Sequence, residues 1–407
     1  TEPPMTRFRH RRHARRGFTL VELMVATALV VLILTILAVA FGAATDSLSR
    51  LRSMGNMATD LRGAQDKLRA DLEAEHFDSG DSPGVLRLAD LKYDQLTPGG
   101  RQTTPPVSGY VRIEQSASIY EGEDADRMSS TRANDAIEFT VKRLGTSPDD
   151  LFVVPATTPE LLARSASDTP IAANQFVTKW ARVRWFLGNA QNVGGVQTFT
   201  LYRSVRAISP VSGLPIAPAT LTAAELPLVS HTSANRTHSL GDLTSPLVRL
   251  DADAAAVPTR FTIPYQPGTA NQGDDIMLSN VTSFEVKPTW TGGSRGPRQF
   301  LPAAIAIGTP IPDGAGLGTT QNLDYPFDDL PLVTENTTLA NQRVFDTWSP
   351  VVQNPAPPPP ATPNAWNVPG SNLSLPLRIR VTALQVKIRV FDPKTLLTRQ
   401  VSFIVQP

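Results

Sequence analysis

Arg15-Arg16-Gly17-Phe18-Thr19-Leu20-Val21-Glu22-Leu23 opens the longest apolar segment of this 407-residue chain. No charged residue lies between Leu23 and Thr45. About 20 apolar residues are enough for a helix to cross the ~30 Å hydrocarbon core of a bilayer. Six arginines precede the segment and give its N-terminal side a positive charge: Arg7, Arg9, Arg11, Arg12, Arg15 and Arg16. Since a positive flank holds its end of a membrane helix in the cytoplasm, the pattern predicts a single-pass helix whose C-terminal body lies outside the cytoplasm.

The unusual residue of this segment is Glu22, which lies in its first turns. An isolated carboxylate inside hydrocarbon costs on the order of 2–3 kcal/mol or more, so such a residue usually has a partner. The apolar segment offers no cation of its own on the membrane side of Gly17. We therefore expect the cation that pairs with Glu22 to lie outside its own apolar segment.

The segment Arg16–Leu23 and the apolar run after it resemble the class III signal of type IV prepilins and type II secretion pseudopilins. The resemblance implies cleavage between Gly17 and Phe18 by a prepilin peptidase, N-methylation of Phe18, and a role for Glu22 in assembly. Cleavage would place a positive amine on Phe18 in the apolar zone, and Glu22 of an incoming subunit could pair with the amine of a neighbour. An ordinary signal anchor is the alternative. A secretory signal peptide fits less well because its apolar region spans only about 7–15 residues.

The composition indicates a folded, exported body without thiol chemistry. Apolar residues make up 41% and charged residues 18% of the chain, which is typical of a globular protein. The net charge is +1, but residues 1–17 carry +5, so the remainder carries −4 and predicts no nucleic-acid surface. The chain has no cysteine, which excludes disulfides, thiol nucleophiles and zinc–thiolate sites. Thirty-six prolines and 26 glycines indicate many loops.

The helical pattern continues beyond the membrane segment. The apolar positions Leu48, Leu51, Met54, Met57, Leu61, Leu68 and Leu72 recur at three-, four- or seven-residue intervals. Charged residues from Arg50 to Asp71 are expected on the other face. We expect one helix from about Thr19 to about Glu75. The sequence thus predicts a leader (1–17), a membrane and assembly half of the helix (18–45), an amphipathic half (46–77) and a β-rich extracytoplasmic body (78–407).

The body is predicted to be an antiparallel β-sheet with long loops rich in proline and glycine. The clearest pair of strands is Trp180–Leu187 with Gln197–Arg203, which we expect to form a hairpin with a long loop. Together with the helix, this predicts an α+β, pilin-like fold with insertions at 210–275 and 300–365. The predicted strands are Val107–Ile113, Ala136–Lys142, Val177–Leu187, Val196–Val205, Val281–Lys287, Leu377–Val390 and Thr398–Val405.

The order of motifs in the body is similar to that of the J-type minor pseudopilin of type II secretion. The motifs are W-x-R-V-x-W from Trp180, T-L-Y-R ending at Arg203, V-x-S-F-E-V from Val281, F-D-T-W ending at Trp348, and L-P-L-R-I-R-V ending at Val381. The resemblance implies a structural subunit, not an enzyme, near the tip of a pseudopilus in the inner membrane. It also implies I- and K-type minor pseudopilins, the major pseudopilin and the secretion platform as partners. A minor type IV pilin of a motility or DNA-uptake pilus is the alternative.

Other candidate sites favour plainer interpretations. Gly292–Gly296 fits G-x-S-x-G around Ser294, but a nucleophile elbow needs a following helix, and Pro297 stands there instead. His231 and His238 do not have a recognised metal-ligand spacing. No catalytic residue, cofactor or metal is therefore predicted.

Two groups of side chains stay open between two interpretations. An acidic loop at 121–126 could bind calcium, although a solvated charge run is the simpler interpretation because the EF-hand spacing is absent. Four tryptophans could form a ligand platform, although aromatic side chains are more often core. The acidic residues are Glu121, Glu123, Asp124 and Asp126, and the tryptophans are Trp180, Trp185, Trp290 and Trp348.

Overall fold

The computed structural model has a long N-terminal helix followed by an antiparallel β-sheet body, as the sequence predicts. The chain divides into two compact units, Thr1–Gly55 and Asn56–Pro407. The residues that the structure describes are 19–78, 86–91, 108–115, 134–145, 147, 150–163, 174–209, 220–231, 236–244, 249, 274–291, 343–347 and 380–407.

Helix α1 spans Leu20–Leu72, close to the predicted bounds. No proline interrupts these 53 residues, and alanine, leucine and other good helix formers are frequent among them. The helix ends where a ring nitrogen of His76 lies 3.0 Å from the carbonyl oxygen of Leu72. Beyond this point the chain becomes extended, and Glu75 forms a β-bridge with Lys142.

Eight strands form the main sheet of the second unit, and every pair in it is antiparallel. In chain order, the strands of the structure are β1 Val111–Gln115, β2 Ala136–Lys142, β3 Phe152–Pro155, β4 Gln175–Thr178, β5 Trp180–Val193, β6 Val196–Ala207, β7 Asp274–Thr291, β8 Arg343–Asp346, β9 Arg380–Asp392 and β10 Leu397–Val405. The order across the main sheet is β10-β9-β7-β6-β5-β2-β1-β8. The other two strands, β3 and β4, form a separate antiparallel pair.

Most predicted strands are present, with three differences. The predicted strand Val177–Leu187 is two strands, β4 and β5, which are separated at Lys179 and belong to different sheets. The predicted long hairpin loop is instead a two-residue turn at Gly194–Gly195, because β5 continues past a bulge near Gly188. Both turn glycines have positive φ, the conformation that two-residue hairpins need. Strands β3 and β8 were not predicted.

The core of the second unit lies between the sheet and the end of α1. The helix contributes Met57, Leu61, Ala64, Leu68 and Leu72, whose three- and four-residue spacing places them on one face. Alternate residues of every strand of the main sheet cover this face, among them Phe139, Trp185 and Phe284. The exposed fractions of Leu68 and Leu72 are 0%. The sheet thus buries the C-terminal part of the predicted leucine stripe, from Met57 to Leu72, as expected.

One glycine is required by a close approach of two backbone segments. Gly109 has φ +102°, and a Cβ atom there would lie 2.2 Å from the carbonyl oxygen of His76. The hydroxyl of Thr140 donates a hydrogen bond to the carbonyl oxygen of His76 at 2.5 Å, and the backbone N–H of Tyr110 donates to that hydroxyl at 3.0 Å. This close contact joins the segment after α1 to strands β1 and β2.

A smaller layer packs against the main sheet at the end of β6 and the start of β5. It comprises the β3–β4 pair, helix α2 (Pro159–Leu162), helix α3 (Leu240–Thr244) and the turn around Glu225. The carboxylate of Glu225 accepts hydrogen bonds from the backbone N–H groups of Thr157 (2.7 Å), Thr158 (2.9 Å) and Thr222 (2.8 Å). It also accepts from the hydroxyls of Thr158 (2.6 Å) and Thr222 (2.8 Å). Burial opposes this charge, but the hydrogen bonds hold the pKa of Glu225 at about 2.

Candidate assembly site

The N-terminal part of α1 presents apolar side chains to its surroundings on every side. Between Leu20 and Phe41, fifteen large apolar side chains have exposed fractions from 49% at Leu37 to 75% at Leu20. A monomeric soluble protein rarely leaves a contiguous apolar surface of this extent uncovered. This is the one helix among the described residues that is long and apolar enough to span a bilayer. The segment therefore fits a single-pass membrane anchor.

The hydroxyl groups in this segment are satisfied by the helix itself. Thr27 donates to the carbonyl oxygen of Met24 at 3.0 Å, and Thr35 donates to that of Val31 at 2.8 Å. Thr45 forms the corresponding bond to Phe41 at 2.8 Å. A polar group in hydrocarbon must find its partner within the protein, and these bonds meet that need without a second chain. Within Leu20–Thr45, Glu22 is thus the side chain whose charge still has to be accommodated.

Glu22 forms a capping box with Thr19 at the start of α1. Its Oε2 accepts a hydrogen bond from the backbone N–H of Thr19 at 2.9 Å and from the Thr19 hydroxyl at 3.1 Å. In return, the backbone N–H of Glu22 donates to the Thr19 hydroxyl at 3.2 Å. The arrangement satisfies N–H groups that a helix start leaves free and sets a negative charge at the positive end of the helix dipole. Gly17 and Phe18, the predicted cleavage residues, lie outside the described residues.

In the second unit, a buried ion pair joins α1 to the sheet. The guanidinium of Arg203 on β6 donates to both carboxylate oxygens of Asp71, at 2.6 and 2.9 Å. The indole N–H of Trp185 on β5 donates to the same carboxylate at 2.9 Å. The exposed fractions are 5% for Asp71, 6% for Arg203 and 0% for Trp185. A second carboxylate, Asp275, lies 3.4 Å from Arg203 at the surface.

This contact corrects one sequence-based expectation. The charged residues from Arg50 to Asp71 were expected on the face of α1 opposite the leucine stripe, but Asp71 points into the core beside Leu68 and Leu72. The signal was available in β6, where Phe199, Leu201 and Arg203 alternate toward the same face. An arginine at an inward position of a strand needs a buried acid, and Asp71 lies on the buried side of the helix. The N-terminal end of the predicted leucine stripe also differs from its C-terminal end, because Leu48 and Leu51 are exposed.

The face of the sheet opposite α1 also carries buried charges. Glu138 on β2 accepts hydrogen bonds from the hydroxyl of Tyr110 and from the guanidinium of Arg182 on β5. Burial raises the pKa of Glu138, but Arg182, Arg184 and the Tyr110 hydroxyl outweigh it, so the pKa lies well below its usual range. Arg182 and Arg184 belong to the W-x-R-V-x-W motif, whereas no sequence pattern distinguishes Glu138 or Tyr110. The acid and the two arginines link the neighbouring strands β2 and β5.

Of the remaining predicted candidates, His231 and His238 lie on two short segments that pair with each other, and the others are core residues or lie outside the described residues. The hydroxyl of buried Ser230 lies 3.0 Å from Nδ1 of His238, and His231 belongs to the bridge that pairs with Thr237. No group of three or more potential metal ligands occurs among the residues that the structure describes. Trp180 and Trp185 are core residues, as predicted. Ser294, the acidic residues 121–126 and Trp348 lie outside the described ranges, as does the side chain of Trp290.

One family model matches the chain, and it covers the segment described above. The model is the prokaryotic N-terminal methylation motif, which matches residues 12–41. No curated protein and no solved structure matches the chain. The chain therefore carries a type IV pilin-like prepilin signal followed by an apolar helix. This motif implies processing by a prepilin peptidase and association with the membrane.

Proposed function

We propose that this protein is a minor pseudopilin of the J type, a non-enzymatic subunit near the tip of a type II secretion pseudopilus. The observation that carries the proposal is the methylation motif at 12–41 followed by a helix with fifteen exposed large apolar side chains. Such a surface needs lipid before assembly and can be buried by the helices of neighbouring subunits afterwards. The resemblance of the body motifs supports the J type over other pilin-like subunits.

The domain division proposed from sequence follows from this function. Residues 1–17 are the leader, 18–45 the membrane and assembly half of the helix, 46–77 its amphipathic half, and 78–407 the body. Cleavage between Gly17 and Phe18 and methylation of Phe18 create a new N-terminus beside Thr19. Glu22 then pairs with the Phe18 amine of a neighbouring subunit, so that two charges are neutralised upon docking.

The order of the body strands gives the proposal further support. The first three motifs that resemble the J type fall on β5, β6 and β7, which are neighbours in the main sheet. Of the other two motifs, Phe345 and Asp346 lie on β8, and Arg380 and Val381 lie at the start of β9. Two residues of these motifs, Trp185 and Arg203, make the contact with Asp71 that fixes the helix. The proposed partners are I- and K-type minor pseudopilins, the major pseudopilin and the inner-membrane secretion platform.

The decisive experiment is mass spectrometry of the protein extracted from native membranes, with its N-terminus and its copurified partners determined together. A methylated Phe18 terminus with pseudopilins and secretion-platform proteins is the expected result. A methylated Phe18 terminus with motility or DNA-uptake pilins would replace the proposal with its alternative, a minor type IV pilin. An intact leader without pilin-type partners would contradict both.

A membrane-anchored enzyme is the rival from a different class. Its strongest candidate residues from sequence are Ser294, His231 and His238. Alanine variants at these three positions should leave export by the assembled system unchanged. A loss of function with a normal N-terminus, normal partners and normal stability would contradict the structural role.

A further inference from the structure

The side chain of His76 lies where helix α1 gives way to the extended chain. It is fully buried, with an exposed fraction of 0%. Its ring packs edge-on against two aromatic rings, with centroid distances of 5.0 Å to Phe139 and 6.4 Å to Phe77. Both of these aromatic residues belong to the main core. A group that can carry a charge near neutral pH therefore lies in an apolar environment.

The two ring nitrogens of His76 contact carbonyl oxygens of two different elements. Nε2 lies 3.0 Å from the carbonyl oxygen of Leu72, the last residue of α1, and Nδ1 lies 2.8 Å from that of Thr140 on β2. The backbone N–H of His76 does not serve Leu72, because it donates to the carbonyl oxygen of Leu86 at 2.7 Å. The ring thus occupies the place of a backbone donor that the helix end lacks, and it links α1 to β2.

A neutral imidazole cannot donate to both carbonyl oxygens. It carries one N–H, so its other nitrogen faces the second oxygen with a lone pair. A ring protonated on both nitrogens would donate to both oxygens, but it would bury a positive charge among aromatic side chains. The two carbonyl oxygens therefore favour the charged ring, whereas burial favours the neutral one.

Burial is the stronger of these two effects. It lowers the pKa of His76, and the hydrogen bonds with the two carbonyl oxygens, which raise the pKa, do not offset it. The pKa therefore lies below the usual value of 6.5, and the ring is neutral at neutral pH. The unfolded chain, whose histidine is solvated, takes up a proton at a higher pH than the folded chain does.

The charges around the ring do not reverse this direction. Asp71 raises the pKa, but its carboxylate is held by Arg203 at 2.6 Å, and Arg87 lowers the pKa. The charged groups of the elements packed against the ring are Asp71 of α1, Arg87 and Asp90 at the short helix Leu88–Asp90, and the ion pair between Glu75 and Lys142 of β2.

We propose that His76 is a proton-sensitive latch, which holds the end of α1 to β2 while its ring is neutral and opens when acid protonates the ring. Because the closed ring has no exposed surface, it meets water only when residues 73–77 separate from the sheet. Opening breaks both ring contacts and the β-bridge of Glu75 with Lys142. The latch depends on contacts within one chain, so it is independent of the proposed function.

Backbone hydrogen exchange of the full-length, detergent-solubilised protein tests the latch. Exchange is followed by mass spectrometry and corrected for its intrinsic dependence on pH. The open state binds one more proton than the closed state, so the protection of peptide 69–78 should fall by up to about ten-fold for each pH unit below 6.5. A peptide from β5, residues 180–187, should keep its protection over the same range.

Two histidine variants separate the latch from general effects of acid. His76→Gln retains a side-chain N–H donor but does not titrate in this range, so the protection of peptide 69–78 should become independent of pH. His238→Gln is the matched control, because it replaces another buried histidine, with an exposed fraction of 1%. This control should leave the pH response of peptide 69–78 unchanged. An equal response in His76→Gln and in the parent protein would overturn the latch.

The parent protein supplies a second measurement that does not depend on how the variants fold. Exchange at the ring carbon between the two nitrogens reports the pKa of each histidine, and that of His76 should lie below 6.5. A pKa above 6.5, with protection of peptide 69–78 that is lost as the pH rises, would overturn the latch. That result would show that a charged ring donates to both carbonyl oxygens in the closed state.

Discussion

Helix α1 is one continuous element, but the apolar side chains are exposed at its N-terminal end and buried at its C-terminal end. From Leu20 to Phe41 every large apolar side chain is about half or more exposed, whereas Met57, Leu61, Leu68 and Leu72 are buried by the sheet. Each end also holds a carboxylate, Glu22 in a capping box and Asp71 in a buried ion pair. The C-terminal end finds its partners in its own chain. The N-terminal end has a large exposed apolar surface, which fits a membrane anchor.

The largest expected effect is the loss of assembly upon changing Glu22. Glu22→Ala removes the carboxylate that we propose to pair with the Phe18 amine of a neighbour, so incorporation into the assembly should fall at least ten-fold. Leader cleavage should persist, because Gly17 and Phe18 are unchanged. Incorporation is measured in sheared or purified fibres, and cleavage by the mass of the N-terminal peptide.

The Glu22→Gln variant controls for the capping box. Gln at the third helical position retains a hydrogen-bond acceptor for Thr19 but lacks the charge. It should fail in assembly as Glu22→Ala does, and neither variant should change the unfolding midpoint of the body. Normal incorporation of Glu22→Gln would refute charge pairing in trans.

The next largest effect concerns the carboxylate at the other end of the helix. Asp71→Ala leaves the Arg203 guanidinium buried without its main partner, and breaking a buried pair in this way costs roughly 3–5 kcal/mol. The free energy of unfolding of the detergent-solubilised protein, measured with denaturant, should fall by that amount. Asp66→Ala, at an exposed position of the same helix, is the matched control and should change it by less than about 0.5 kcal/mol.

A double variant tests whether the pair itself is responsible. Asp71→Leu combined with Arg203→Met removes both charges and retains apolar volume, so it should be less destabilised than either single variant. Additive losses in the two single variants and the double variant would show that Asp71 and Arg203 do not act as a unit.

A pair of leucine variants compares the two environments of the helix directly. Leu68→Ala should lower the free energy of unfolding by about 2–5 kcal/mol, because the side chain is fully buried against the sheet. Leu51→Ala should change it by no more than about 0.5 kcal/mol, because Leu51 is 62% exposed. Equal effects at the two positions would abolish the distinction between the ends of the helix.

The smallest expected effect is a pH dependence confined to the body. The pKa of Glu225 is about 2 in the folded protein, against 4.5 for an unperturbed glutamate. As the pH falls from about 4.5 toward 2, the unfolded chain takes up a proton before the folded one does, so the stabilisation present at neutral pH is progressively lost. Glu225→Gln should flatten this part of the stability profile, whereas Glu160→Gln should not. A parallel profile in both variants would contradict the role of Glu225.

The sequence predicted the helix and most strands because their signals are local and periodic. The run from Leu23 to Thr45 and the alternation in Trp180–Leu187 require no knowledge of tertiary contacts. The two-residue turn at Gly194–Gly195 was missed because Asn189 and Gly188 suggested an earlier end to β5, whereas the strand passes through a bulge there. Strands β3 and β8 were missed because four residues carry too little periodicity.

Among the charged residues of α1, those with local sequence signals were also predicted, and those with distant partners were not. Glu22 and the cleavage motif stand out because a charge and a fixed spacing are visible against an apolar background. Asp71 was placed on the wrong face because the residues around it, Lys67 and Arg69, suggested a solvated stripe. Only the partner on β6, 132 positions along the chain, explains why an acid faces the core. A partner this far along the chain produces no periodic pattern in the sequence around Asp71.

The pairing of strand β8 has a consequence for the order of events during folding. The strand pairs with β1, where Arg112 lies opposite Asp346, so the two partners are separated by more than two hundred residues. The core residues Phe403 and Val405 come later still, and they help to cover α1. Long loops must therefore close before these contacts form, which slows folding. Until almost the whole chain has been synthesised, the body cannot complete its sheet, and the exposed strand edges of the incomplete sheet are prone to association.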